Sequence, residues 1–95
     1  MNEIVHQTKW LYFRKHKRGF KKKTDIYDIY NKESNTIIGQ IRWYSGFRQY
    51  SFFPCPDTVY EKTCMADITA YLVKIGEEHK DQQRIIDIAT GKTEQ

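Results

Sequence analysis

The side chains able to do chemistry in this 95-residue chain form one dense cluster and several scattered groups. The cluster is KWLYFRKHKRGFKKK, residues 9–23, where Arg14, Lys15, Lys17, Arg18, Lys21, Lys22 and Lys23 are interleaved with aromatic rings. Cations at this density contact phosphates, and rings beside them stack on bases. A solvated basic loop is the plain alternative. Dense like charge disfavours compact structure, so the run is expected to be a mobile arm or loop.

The scattered groups suggest no catalysis. The five glycines are isolated, so no phosphate-cradling loop is present. Asp25 and Asp28 sit at odd spacing in an extended segment, which points them to opposite faces and spoils an acid/base pair. Cys55 and Cys64 lack the close pairing of a zinc knuckle, and His6, His16 and His79 are far apart in sequence. Free thiols and three surface histidines are the expectation, with no enzyme activity, no metal and no cofactor.

Charge is distributed unevenly. Residues 1–24 carry eight basic side chains against Glu3 alone, a net of +7, while residues 25–95 carry eight basic against eleven acidic, a net of −3. A basic front end on a mildly acidic body points to a polyanionic partner. The mean hydropathy is −0.79 and the sequence has no long apolar run, which excludes a membrane-spanning helix. Residues 1–7 lack the pattern of a secretory signal, which leads to a cytoplasmic expectation, in a bacterial host cell.

Positioning these groups falls to the stretch TIIGQIRWYSGFRQYSFFP, residues 36–54, which reads as a hairpin broken at Ser45 and Gly46. An even loop centred there pairs Tyr44 with Phe47, Trp43 with Arg48, Ile41 with Tyr50 and Gly39 with Phe52. That pairing collects Ile37, Ile41, Trp43, Tyr50 and Phe52 on a core side, with Arg48 against the Trp43 indole. The other side then holds Ile38, Gln40, Arg42, Tyr44, Phe47, Gln49 and Ser51. Gln40, Arg42, Tyr44 and Gln49 can read or stack on bases there.

Ahead of the hairpin, residues 24–31 read as a strand with Tyr27 and Ile29 on one side. Residues 10–13, WLYF, fit either a first strand or a short helix, and residues 1–9 read as a frayed end. Behind it, Pro54 and Pro56 stop the last strand. Thr58 and Glu61 have capping-box spacing, and Cys64, Ile68, Tyr71, Leu72 and Ile75 recur as one helical stripe, with Gly76 near its end. The division is therefore 1–23 as basic aromatic arm, 24–80 as a β-β-β-α core, and 81–95 as a tail with a short strand or turn. The fold class is α+β, with a three- or four-stranded antiparallel sheet on one α-helix.

The segment from Tyr27 to Leu72, with IIGQIRWYSGFRQYSFFP followed by CMADITAYL, resembles small uncharacterised proteins of bacteriophages and prophages. The strand and helix order is similar to the three-stranded DNA-binding modules of tyrosine-recombinase arm-binding domains and plant AP2 domains. The phage resemblance implies an origin rather than an activity, and the basic arm beside the sheet leads to the expectation of a small phage-type protein that binds nucleic acid, DNA or RNA. The alternatives are an inhibitor or adaptor that binds a host or defence protein, and a homo-oligomeric interaction module.

Overall fold

The computed structural model describes residues 3–16 and 24–89, with side chains to residue 81. Five strands precede one helix: β1 (Glu3–Gln7), β2 (Leu11–Lys15), β3 (Tyr27–Asn31), β4 (Thr36–Tyr44), β5 (Gln49–Pro54) and α1 (Lys62–Ala89). The strands form an antiparallel meander in chain order, and α1 covers one face of it. The α+β class with an antiparallel sheet on one helix is as the sequence indicates. The described residues form five strands, against the three or four that the sequence indicates.

The additional strands come from the N-terminal segment. Of WLYF, Leu11 to Phe13 lie in strand β2 and Trp10 just before it; Leu11 and Phe13 alternate inward and are fully buried while Arg14 turns the other way. Residues 3–7, expected to fray, instead form β1 by backbone pairing to β2, with a bulge at Val5. Val5 and His6 both contact the helix side: Val5 packs on the core, and the His6 ring stacks on Tyr71 at 4.8 Å.

The core joins Leu11, Phe13, Tyr27, Ile29, Ile41 and Tyr50 from the sheet to Ile68, Tyr71 and Ile75 from α1. Side chains as completely buried as Phe13, Leu11, Ile29 and Ile41 each contribute about 1.5–3 kcal/mol. Trp43 and Phe52 pack at the margin, so the helical stripe lies across the hairpin residues that the alternation selects.

The hairpin register is two residues away from the expected one. Trp43 pairs with Tyr50 and Ile41 with Phe52, leaving Ser45–Arg48 as a four-residue turn. Because the shift is even, Ile41, Trp43, Tyr50 and Phe52 stay on one face and Gln40, Arg42, Tyr44, Gln49 and Ser51 on the other. Arg48 is displaced from Trp43 into the turn, where it takes the positive φ (53°), and the Trp43 indole meets Tyr50 and His79 instead. Gly46 serves close approach: a Cβ there would lie 2.6 Å from the Tyr44 ring.

Ile37 is also corrected. A bulge between β3 and β4 places one extra residue in β4, so Ile37 is 40% exposed and Ile38 packs on the core. The Ile38 carbonyl accepts from the Tyr60 hydroxyl and from the Cys55 N–H (2.9 Å), which ties the bulge to the connection before α1.

Glu61, not Thr58, caps the helix. Its carboxylate accepts from the Cys64 N–H at 2.6 Å, and the bonds to the Cys64 and Thr63 N–H groups hold its pKa low. Thr58 instead donates to the Cys55 carbonyl at 2.8 Å. The helix then passes through Gly76 without ending and continues to Ala89, so RIIDIA of the C-terminal segment lies within it.

Candidate nucleic-acid interface

The sheet face away from α1 is assembled by the same alternation that builds the core. Tyr12 and Arg14 of β2, Asp28 and Tyr30 of β3, Gln40, Arg42 and Tyr44 of β4, and Gln49, Ser51 and Phe53 of β5 alternate with inward-facing neighbours and meet across the strands on this face. The registers place Arg14, Asp28, Gln40 and Phe53 on one rung across four strands.

Asp28 is the polar centre of this face, 5% exposed and the one charged side chain buried among the described residues. A carboxylate so enclosed needs hydrogen-bond donors. Gln40 Nε2 donates to its Oδ1 at 2.9 Å, and His16 Nε2 lies 2.6 Å from its Oδ2. The carboxylate thereby fixes the end of β2 immediately before the basic run.

Two guanidinium groups lie over rings on either side of this centre. Arg42 Cζ is 3.9 Å from the Phe53 centroid. Arg14 Cζ is 5.3 Å from Tyr12 and 5.8 Å from Tyr30, whose rings stack at 4.9 Å with an interplanar angle of 3°. The Tyr12 hydroxyl donates to the Asn35 side-chain carbonyl, which anchors the stack to the β3–β4 turn. At the far end, Tyr44 and Phe47 meet edge to face at 5.0 Å, and both are exposed.

Of the residues that the sequence singles out, Arg14, Gln40, Arg42, Tyr44 and Gln49 come together on this one face. Lys15 does not: it projects to the helix side and pairs with Asp25 at 3.3 Å, so this one cation of the run is committed internally. Lys17, Arg18, Lys21, Lys22 and Lys23 lie outside the described residues. Asp25 and Asp28 have separate partners, as their odd spacing requires. Sequence reasoning missed Tyr12, His16, Asp28, Tyr30 and Phe53, although alternation along LYFRK and YDIYN already placed Tyr12 with Arg14 and Asp28 with Tyr30.

The other reactive groups are engaged in packing. Each of the three histidines has a partner: His6 stacks on Tyr71, His79 meets Trp43 at 4.7 Å in a tilted contact, and His16 is bound to Asp28 while its side chain stays 37% exposed. Cys55 and Cys64 are free, half-buried thiols. Burial first, then the Glu61 carboxylate, pushes the Cys64 thiol up to about 11, so it is protonated at neutral pH. Among the described residues, no three His, Cys, Asp or Glu side chains gather where they can hold a metal ion, and no helix is long and apolar enough to cross a membrane.

Comparison with known proteins gives an uncharacterised 9.3 kDa protein of Acholeplasma phage L2, 33% identical over 76 residues, which cover 80% of this chain and 96% of the phage protein. The chain belongs to the family of that phage protein. No family model and no solved structure matches it. The described residues form a five-stranded meander, which differs from the three-stranded DNA-binding modules named above.

Proposed function

We propose that this chain is a small phage nucleic-acid-binding protein, acting in the cytoplasm of the host cell, that contacts its ligand with the open sheet face and the basic run following β2. The observation that carries this reading is the pair of arginines on that face, each laid over aromatic rings. A guanidinium over a ring is ordered by about 0.5–1 kcal/mol at an exposed site, and Arg42, 3.9 Å from the Phe53 centroid, can turn N–H donors to phosphate oxygens. The His16–Asp28 contact holds the residue that follows β2 on the same face, and the sequence continues from there into the cations of residues 17–23.

Fluorescence anisotropy of a labelled mixed-sequence oligonucleotide, titrated at several salt concentrations, tests the proposal. The logarithm of affinity is expected to fall by roughly 0.7–0.9 per log unit of salt for each phosphate neutralised. No binding, or binding indifferent to salt, rejects it.

A host or defence protein is the second candidate ligand. It is favoured by a groove of about 420 Å³ between β5 and α1, lined by Phe52, Cys55, Tyr60, Met65, Ile68 and Leu72, beside an edge strand of the sheet. Apolar grooves along strand edges accept extended peptides. Capture from nuclease-treated host lysate that is lost on Met65→Asp substitution supports this partner, and capture abolished by nuclease rejects it.

A further inference from the structure

We infer that the ligand of the open face is a single strand of nucleic acid, whose bases stack on the rings of Tyr44 and Phe47. This rests on the nucleic-acid reading above and specifies its substrate class.

Width argues first against a duplex. Five strands about 4.8 Å apart make a face about 19 Å across, whereas the major groove of a DNA duplex is about 12 Å wide. A two-stranded ribbon enters that groove, but this face cannot be laid into it.

Ring exposure argues next for a strand with its bases free. Tyr44 is 44% and Phe47 67% exposed. Both are held in place: Tyr44 lies over Gly46, and the Phe47 N–H donates to the Tyr44 carbonyl at 3.1 Å. Exposed rings fixed by a tight turn lose little freedom when a base settles on them. A duplex keeps its base faces inside its own stack, so only an unpaired strand can offer them.

Spacing and charge complete the case. The Tyr12–Tyr30 stack with Arg14 lies near Ile37, the residue of β4 paired with Tyr30, and Tyr44 closes the other end of the same strand. From Ile37 to Tyr44 is about 23 Å of strand, enough for a site at the short end of the single-strand range, about 4 nucleotides or more. Arg42 lies along this path and supplies positive charge between the ring clusters for the backbone.

The test compares two labelled probes at one salt concentration: an unstructured oligothymidylate strand and a mixed-sequence duplex of equal length. The single strand is expected to bind at least about tenfold tighter. Phe47→Ala is expected to weaken it by about 5- to 150-fold while leaving weak duplex binding unchanged. Phe47→Trp is expected to keep affinity, and its indole fluorescence to be quenched by the strand. Equal or tighter duplex binding overturns this inference and leaves the broader nucleic-acid reading standing. Single-strand affinity unmoved by Phe47→Ala also overturns it. Binding of neither probe overturns both.

Discussion

Gln40 on β4 donates its amide to Asp28 on β3 across 2.9 Å, and His16 occupies the other carboxylate oxygen at 2.6 Å. A buried carboxylate thus lies at the centre of a sheet face that otherwise carries arginines and rings. It is an ordering device: it fixes the rotamers of residues from two other segments of the chain.

Removing that carboxylate leaves two donors without their acceptor. Asp28→Ala is expected to lower stability by about 1–3 kcal/mol, read as a shift in the urea midpoint with an unchanged slope. Asp28→Asn, which keeps one carbonyl acceptor for Gln40, is expected to lose less. An Asp28→Ala variant as stable as the parent contradicts this role.

Acid sensitivity is expected from His6. Burial holds its imidazole below the ordinary value, with Lys74 adding to the effect and Asp67 opposing it. The unfolded imidazole takes up its proton near pH 6.5 and the folded one resists, so the unfolded state binds more protons as pH falls. This contribution to stability is complete above about pH 6.5 and is lost below it. Denaturation midpoints at about pH 7.5 and 5.5 are expected to differ, with the lower midpoint in acid. His6→Phe, which keeps a ring against Tyr71, is expected to narrow that difference.

Two glycines are expected to respond in opposite directions. At Gly39 an added Cβ would stand 2.5 Å from the Phe52 ring and 2.9 Å from the Phe53 carbonyl oxygen, so Gly39→Ala should cost about 1–3 kcal/mol. At Gly76, inside α1, nothing lies within 4 Å, so Gly76→Ala should stabilise by about 0.4–1 kcal/mol. Thermal melts of the two variants check both signs.

The faces of the hairpin were legible in the sequence because they depend only on parity, which a two- or four-residue loop preserves. The register depends on where Tyr44 and Arg48 settle in the turn, and Ser45–Gly46 alone does not fix that. Ile37 and Ile38 exchanged roles because the bulge between them is set by pairing with β3 and by the Tyr60 hydroxyl, both remote in sequence. β1 was hidden for a similar reason: EIVHQ has two apolar residues, and its strand character comes from backbone bonds to β2. The site was half legible. Gln40, Arg42 and Tyr44 follow from one hairpin, whereas the Arg14, Asp28 and Gln40 rung requires knowing that β2, β3 and β4 are neighbours.

The open face as contact surface is tested most directly by the salt dependence of oligonucleotide binding in Arg14→Gln/Arg42→Gln beside the parent chain, with circular dichroism to show that both are folded. The log–log slope of affinity against salt is expected to flatten by up to about 1.4–1.8, the share of two neutralised phosphates, with weaker binding at low salt. A folded double variant with the parent's slope and affinity would contradict the account.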